Sequence, residues 1–353
     1  MSAFQEIANI WRNVREVDLR PIRQQALYQV KIALVGELGS GRYALAEQFR
    51  RDPKRAGSIT QTPMIVADQS TSHLADEADL IFVLVSAAAP GGESLRSLAS
   101  RWHTAGKKVF VFYNTSSGSY QHQYEDFDAF WTAAHVFTGP VDNADYLIDE
   151  FVPLVLEHVP DLLLSLGRHF PLFRVPIAEQ LINDTSFSNA AYILSTSLAE
   201  MVPVLGVPVN IADMIVLTKS QAFLVYRLGL LVGFSTRWQD YVSEFSGVIG
   251  SGFVWRQLAR GLVGLVPVVG VVPKVAVAYA GTFVVGHVVL SWYLTGRHVS
   301  RQQIKQIYRQ AFARGKHIAR NLIARLPGPR LLHRDSRRRM PSPESSSNPD
   351  SDT

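Results

Sequence analysis

The sequence predicts an α/β domain of three layers, followed by an all-α domain that is strongly apolar. Short apolar runs alternate with helical stretches from residue 30 to residue 139, which is typical of a parallel sheet with crossover helices. After about residue 160 these runs stop, and long stretches of Leu, Val, Ala and Gly carry few charges. The length of 353 residues also exceeds what one hydrophobic core usually organises. Two domains are therefore expected.

The chain divides into four segments. Residues 1–28 predict an amphipathic helix, because apolar side chains recur at helical spacing at Phe4, Ile7, Ile10, Trp11, Val14 and Val17. The α/β domain takes residues 29–160, and the apolar helical domain takes residues 161–325. Residues 326–353 are basic and then polar, so we expect them to be disordered.

Five apolar runs define the expected strands of the sheet. In chain order they are VKIALVG, TPMIVAD, ADLIFVLVS, KKVFVFY and AHVFTG. Their length and their content of Val, Ile and Phe are typical of buried strands. Parallel strands need crossover connections, so the stretches between these runs are expected to form helices that cover the sheet.

The composition excludes several classes of site. The chain has no cysteine, which rules out disulfides, thiolate zinc sites and cysteine nucleophiles. The ten histidines show no metal-ligand spacing, and neither an H-E-x-x-H nor a G-x-S-x-G motif occurs. The first residues lack the pattern of a signal peptide, so we expect this end to stay in the cytoplasm.

A glycine-rich loop joins the first strand to a helix. The sequence GELGSGRY places two glycines at the P-loop spacing of Gly, four residues, Gly, Lys and then Ser or Thr. Backbone N–H groups and the helix dipole favour a phosphate at such a point. The candidate phosphate-binding residues are Gly36, Gly39, Ser40, Gly41, Arg42 and Tyr43. The alternative is a glycine-rich turn that packs the strand on the helix and holds no ligand.

Both chemical positions of this loop are substituted. Arg42 stands where a P-loop has Lys, and its planar fork is bulkier than an ammonium group. Tyr43 stands where Ser or Thr would bind Mg²⁺, and its oxygen lies too far from the backbone to replace a short hydroxyl ligand. We therefore expect the loop to accept an anion without magnesium-assisted phosphoryl transfer.

The order of the remaining motifs, over residues 30–158, resembles the GTPase domains of the Era-like and Der-like families. This resemblance implies a P-loop NTPase fold and makes GTP or GDP the candidate ligand, whereas the substitutions Arg42 and Tyr43 argue against magnesium. It places Asp68 on the magnesium side, with Thr71 where the families have a glycine. It also makes Thr60 or Thr62 the remnant of a switch threonine.

The resemblance assigns base contacts to three further residues, which are Asn114, Ser117 and Thr138. The families carry Asn-Lys-x-Asp where this chain has Asn-Thr-Ser-Ser at 114–117. Guanine normally receives a charge-assisted pair of bonds from that aspartate, and such bonds contribute about 1.5 to 3 kcal/mol each. Ser117 should therefore lower guanine selectivity by orders of magnitude. The substitutions relative to these families lie at positions that would contact phosphate, magnesium or base, whereas the glycines and the strands are kept. This favours a retained fold with lost or altered catalysis.

The apolar half contains an internal repeat, VPVLGV at 202–207 and VPVVGV at 266–271. Proline and glycine interrupt helices, so each copy predicts a helix, a tight turn and a helix. The stretches MVPVLGVPVNIADMIVLTKSQAFLVYRLGLLVGF and LVGLVPVVGVVPKVAVAYAGTFVVGHVVLSWYLTGR resemble the uncharacterised helical domain of the YcjF-type family. That resemblance implies association with the bacterial inner membrane.

Two features of this half bear on a membrane. Residues 275–294 are twenty residues without a formal charge, which is long enough to cross a bilayer core of roughly 30 Å. A buried helix of a bundle gives the same pattern. A basic helix face follows. It favours binding to anionic lipid, with an attraction of about 1 kcal/mol for each basic residue near the surface. The alternative is a helix face that is exposed to solvent and binds no lipid. The residues of this basic face are Arg297, Arg301, Lys305, Arg309, Lys316 and Arg320.

Together these features predict a GTPase-like regulatory or scaffold protein with impaired hydrolysis, peripheral or integral at the cytoplasmic face of the cell membrane. A protein partner is expected, and the sequence is compatible with a homo-oligomer. Nucleic acid is not expected as a partner, because the sequence has no basic surface interleaved with aromatic residues. One alternative is a functional GTPase that uses Arg42 and holds magnesium through Asp68 and water. Another is a structural membrane protein with the α/β domain as its assembly platform.

Overall fold

The computed structural model describes residues 18–52, 61–86, 93–116, 135–199, 209–237, 270–297 and 299–325. Residues 1–17 of the predicted amino-terminal helix 1–28, the first copy of the repeat and the tail after residue 325 lie outside these ranges. Of the second copy, the described part is its end, where Gly270 and Val271 begin a helix.

The sheet has five parallel strands in the order β2-β1-β3-β4-β5. The strands are β1 Ile32–Gly36, β2 Met64–Ala67, β3 Leu80–Ser86, β4 Lys108–Asn114 and β5 His135–Gly139. Each coincides with one of the five apolar runs, β4 extending one residue beyond its run to Asn114, so the predicted parallel α/β architecture is confirmed.

Helices surround the sheet and continue into the carboxyl-terminal region. They are α1 Arg20–Leu27, α2 Arg42–Arg50, α3 Glu93–Thr104, α4 Ala144–Tyr146, α5 Val152–His158, α6 Leu163–His169, α7 Pro171–Ala199, α8 Val209–Leu231, α9 Val271–Thr295 and α10 Arg301–Ala324. Two 3₁₀ turns, Ser72–Glu77 and Pro160–Leu162, and one π turn, Leu147–Phe151, join them.

The two faces of the sheet bury different side chains, because successive residues of a strand point to opposite faces. One face presents Leu34, Phe82 and Phe112, which pack in a cluster with Phe49 of α2 and Phe151. The other face presents smaller residues, mostly Val, Ile and Ala, and packs against Leu95, Ala99 and Trp102 of α3. Helices therefore cover both faces, and the domain has three layers.

The apolar core continues from the sheet into the carboxyl-terminal helices. The Phe49 ring lies 6.2 Å from Phe170 and 5.3 Å from Phe173, centroid to centroid. At the other end of β1, the Ser165 hydroxyl of α6 accepts a hydrogen bond of 3.2 Å from the Val30 N–H. The predicted boundary at residue 160 falls at a 3₁₀ turn, and buried contacts cross it.

The apolar helix α9 lies against α7, α8 and α10. Gly286 packs on Ile182 of α7, and Gly315 of α10 packs on the Ala276 backbone, so both neighbours approach α9 closely. The buried Asn189 amide of α7 donates a 2.8 Å hydrogen bond to the Thr282 hydroxyl of α9. The described part of the carboxyl-terminal region is therefore a packed helical bundle, and within it one helix is long and apolar enough to cross a membrane.

Candidate phosphate-loop site

The glycine-rich loop, residues 36–41, lies at the carboxyl edge of the sheet, between the end of β1 and the start of α2. Next to it along this edge end β3, at Ser86, and β4, at Asn114. The strand that follows β1 in the chain, β2, lies on one side of β1 in the sheet, and the next strand, β3, lies on its other side. In open parallel sheets, ligands bind at the crevice that such a change of direction creates.

Three glycines give the loop its shape. Gly39 and Gly41 adopt φ of 84° and 90°, in the left-handed region that disfavours other residues. A side chain at Gly36 would collide with the Ser40 hydroxyl and lie 2.6 Å from the Leu84 carbonyl oxygen. A side chain at Gly41 would collide with the Asn114 amide. The backbone path and the close packing thus both require glycine, as the sequence pattern indicated.

Arg42, the first residue of α2, folds back into its own loop. Its side chain is buried, with 7% of the residue exposed, and Nη1 donates a hydrogen bond to the Gly36 carbonyl. Nη2 lies 3.9 Å from Oδ2 of Asp68, and the guanidinium carbon lies 5.0 Å from the centre of the Tyr43 ring. The positive charge therefore sits at the base of the loop and is held by residues of the protein.

Two buried donors at this point lack partners. Among the described residues, neither the Ser40 hydroxyl nor Nε of Arg42 has a hydrogen bond, although both atoms are inaccessible to solvent. Leaving a buried donor unsatisfied costs about 1 to 3 kcal/mol. The oxygen of an anion in the loop would supply the missing acceptor.

Asp68, at the end of β2, is ionised and held by its own turn. Oδ1 accepts hydrogen bonds from the Ser70 hydroxyl at 2.6 Å, the Thr71 N–H at 3.1 Å and the Thr71 hydroxyl at 3.0 Å. The Ser70 bond, followed by those of Thr71, lowers the pKa of Asp68 to about 2. Oδ2 faces Arg42, so this carboxylate balances the charge of the loop.

Asn114 connects the loop to the ends of β4 and β5. Its amide nitrogen donates to the Ser40 carbonyl at 3.3 Å, and its oxygen accepts from the N–H groups of Ser116 at 2.9 Å and Val141 at 3.4 Å. Only 4% of the residue is exposed. Both ends of the amide thus bind the protein backbone, which gives Asn114 a role in holding the edge together.

The other predicted residues lie around this edge or away from it. Tyr43 is 64% exposed at the mouth of the loop. Thr138 lies in β5, where its carbonyl accepts a 2.7 Å hydrogen bond from the Tyr146 hydroxyl. Ser117 and Thr60 lie outside the described residues.

Thr62 is not brought to the loop. It precedes β2, at the amino edge of the sheet, and its hydroxyl accepts a 3.4 Å hydrogen bond from Nε of Arg50 at the far end of α2. Asp68 follows the same strand, so the two residues lie beyond opposite ends of β2, six positions or roughly 20 Å apart. The structure therefore assigns Thr62 no contact with a ligand in the loop.

Sequence reasoning missed two contacts that shape the edge. The Ser116 hydroxyl donates a 2.6 Å hydrogen bond to the Asp142 carboxylate, whose backbone carbonyl accepts from the Gln48 amide of α2 at 3.0 Å. Ser70, which dominates the ionisation of Asp68, was also missed. Its signal was present, because a serine or threonine two or three residues after an aspartate often bonds to it in a turn.

The donor set of this edge suits an anion better than magnesium. Mg²⁺ needs oxygen ligands in a compact octahedral arrangement. Here Tyr43 replaces the short hydroxyl, Oδ1 of Asp68 already accepts three hydrogen bonds, and Oδ2 faces a guanidinium. In the described part of the chain, no group of three or more His, Asp or Glu side chains is arranged to hold a metal ion.

No model of a known protein family matches the chain, and no curated protein matches it significantly. The functional argument therefore depends on the geometry of the loop and of the helical bundle.

Proposed function

We propose that this chain is a GTPase-like, membrane-associated regulatory or scaffold protein with impaired nucleotide hydrolysis. The observation that carries the proposal is the position of Arg42, which folds back to bond the Gly36 carbonyl and faces the Asp68 carboxylate. The loop keeps the glycine framework of a phosphate-binding loop and fills its charged position with a side chain that already has protein partners. Such a loop is suited to binding an anion and poorly suited to turnover.

Transfer of a phosphoryl group depends on metal ions that neutralise the developing charge. The side chain that would hold magnesium in a P-loop is here Tyr43, which points to solvent. What remains is a guanidinium, the buried Ser40 hydroxyl and the N–H groups at the start of α2, all of which are donors. These groups support recognition of a phosphate or a similar oxyanion without magnesium.

A protein partner is supported by the surface around the loop. Leu38 is 93% exposed at its tip, and Tyr43 is 64% exposed at its side. Both apolar side chains flank the position where an anion would bind. The affinity of a partner that covers these two side chains would depend on whether an anion is bound in the loop.

The test is a calorimetric titration of the full chain with GTP, GDP and ATP, with and without magnesium. We expect weak binding that does not depend on magnesium or on the base, and a loss of about tenfold or more on Arg42→Ala, because a charge-assisted contact is removed. Arg42→Lys keeps the charge and should bind better than Arg42→Ala. Arg51→Ala, at the exposed far end of α2, is the matched control and should bind as wild type.

The second candidate is a functional GTPase, which the position of Asp68 favours, because its carboxylate lies at the end of β2 and 3.9 Å from Arg42 of the loop. Micromolar, magnesium-dependent and guanine-selective binding, with GTP hydrolysis that disappears on Asp68→Ala, would establish it and overturn the first proposal. If the wild-type chain binds no triphosphate although its unfolding midpoint shows a stable fold, the proposal of anion binding fails and only the scaffold role remains.

A further inference from the structure

One flank of α10 carries a row of basic side chains. Lys305, Arg309, Lys316 and Arg320 lie four, seven and four positions apart, a spacing that keeps them within about 60° of one another around the helix. From Lys305 to Arg320 the row spans fifteen helical steps, or roughly 22 Å. We call these four residues the basic row. Residues 299–325 contain no Asp or Glu, so no acidic side chain within this segment offsets the charge.

The neighbouring side of α10, roughly 110° around the helix from the basic row, packs against the bundle. Ala311 and Ala319 are buried, and Gly315 lies against the backbone of Ala276 in α9. Tyr308 and Phe312 are partly buried in the same contact. The basic row therefore cannot turn toward α9 without breaking this packing. Within the row, Lys305, Arg309 and Arg320 are exposed, and Lys316 lies 4.8 Å over the Phe312 ring at the border.

The packing of α10 decides how α9 can meet a membrane. The chain turns at Gly296 and the Ser300–Gln303 capping box starts α10, which then runs back along α9 as far as Ala276. If α9 crossed a bilayer in this arrangement, Lys305, Arg309 and Lys316 would lie at the depth of its hydrocarbon core. Charged side chains at that depth are costly unless they face a partner or water.

Burial of α9 agrees with this. Of its most apolar 18-residue window, 61% is buried inside the protein. The core helix of a helical bundle can have the same length and apolar composition. In the arrangement described, α9 already has its apolar partners.

We infer that the chain meets the membrane peripherally, by laying the basic row of α10 on a bilayer that contains anionic phospholipid, while α9 stays in the protein core. This inference rests on the membrane association proposed above and specifies its surface and its lipid. The row is straight, acid-free and long enough to contact several headgroups at once, and each basic residue near such a surface adds attraction.

The neighbouring side chains favour lipid phosphates over nucleic acid. Gln302, Gln306 and Gln310 line a shallow surface groove with Lys305 and Arg309, and they add amide donors beside the charges. Single-stranded nucleic acid is held by exposed aromatic rings on which bases stack. The aromatic residues of α10, Tyr308 and Phe312, are packed toward α9 instead.

The test is sedimentation of the full chain with vesicles of phosphatidylcholine alone or with about one third phosphatidylglycerol, at low and high salt. We expect binding only to the anionic vesicles, and its loss at high salt. Arg309→Gln with Arg320→Gln should weaken binding about 30-fold. The matched control is Arg314→Gln with Arg325→Gln, which removes the same charge at the same spacing from the other exposed flank of α10. It should change binding less than about threefold.

Four outcomes separate this inference from the proposal on which it rests. An equal loss in both double variants would attribute binding to net charge and overturn the inference. Tighter binding to a short RNA than to vesicles at the same salt would overturn it as well. Membrane fractions that retain the chain through alkaline carbonate washing would show an integral protein, so the inference would fall and membrane association would stand. A chain that binds no vesicle of either composition would remove membrane association itself.

Discussion

At the scale of single residues, the site is shaped by hydrogen bonds that its polar side chains make within the protein. Arg42 uses part of its donor capacity on the Gly36 carbonyl, and Asn114 uses its amide on backbone groups of three segments. Two residues that the sequence suggested as ligand contacts thus also maintain the shape of the loop. A ligand must compete with these internal bonds, and that competition is the physical reason to expect weak affinity.

The two left-handed glycines of the loop offer a matched comparison. Gly39→Ala and Gly41→Ala impose the same backbone strain, of about 1 to 2 kcal/mol, because φ is 84° and 90°. Only at Gly41 would the new methyl group also collide with the Asn114 amide and Val141, whereas nothing lies within 4 Å at Gly39. We expect Gly41→Ala to lower the free energy of unfolding by about 1 kcal/mol or more beyond Gly39→Ala.

Urea denaturation of both variants measures this difference. Equal losses would mean that Asn114 and Val141 move aside at no cost and that the loop edge is not tightly packed.

At the scale of elements, β5 and α5 meet through two histidines. The ring of His135 lies 3.5 Å from that of His158, centroid to centroid, and Phe110 flanks both. Burial, and next the charge of His158, lower the pKa of His135. Because the pKa of His135 is lower in the folded chain, the unfolded chain takes up a proton at His135 more readily as the pH falls below about 6.5. Stability conferred by the neutral ring is present above about pH 6.5 and is lost as the pH falls toward the lowered pKa.

We expect the urea midpoint of wild type to fall between about pH 7.5 and about pH 5.5, and to fall less in His158→Phe. The phenyl ring keeps an aromatic partner for His135 and removes the second charge. Burial is the larger cause, so the change in slope is partial. His73→Phe, at an exposed position of the turn after β2, is the control and should keep the wild-type slope. A slope in His158→Phe as steep as in wild type would assign the pH dependence to other groups.

At the scale of the whole molecule, α2 joins the loop to the helical bundle. Just beyond its end, Asp52 pairs with Arg174 of α7 at 3.4 Å, with side chains that are 7% and 15% exposed. Arg174 also donates to the carbonyls of Gly167 at 3.0 Å and Arg168 at 3.3 Å. The sheet domain and the carboxyl-terminal helices therefore share a nearly buried ionic contact besides the aromatic cluster around Phe49.

Removing the charge of Asp52 tests how strongly these parts are joined. We expect Asp52→Asn to lower the free energy of unfolding by about 2 to 3 kcal/mol, less than for a fully buried pair because Arg174 keeps its bonds to two carbonyls. Glu47→Gln, which breaks the exposed pair with Arg51, should cost no more than about 0.5 kcal/mol. Denaturation followed separately in the near- and far-ultraviolet would measure both. A single transition that Asp52→Asn leaves unshifted would contradict a structural role for this pair.

The strands and the glycine loop were predictable from the sequence because their signals are local. Apolar runs of strand length and glycines at positions that need left-handed φ do not depend on distant residues. The direction of the Arg42 side chain was not predictable, since the same guanidinium could reach outward to a ligand or back to Gly36. By contrast, the separation of Thr62 from Asp68 was readable from the sequence, because the run TPMIVAD has them at its two ends.

The burial of α9 depended on information that no single segment holds. Its composition is the same in a bilayer and in a bundle, and the decision between the two lies in what α7, α8 and α10 offer as neighbours. The basic row on α10 was readable from its spacing, but its orientation away from α9 followed from the small residues Ala311, Gly315 and Ala319 on the neighbouring side.

The central position of α9 also affects how the protein is made. Ile182 of α7 and Leu224 of α8 are buried, and Ile182 packs directly on Gly286 of α9. A ribosome therefore releases α7 and α8 before the helix that completes their apolar surroundings has been synthesised. During that interval their apolar surfaces are exposed to other nascent chains, a situation in which aggregation competes with folding.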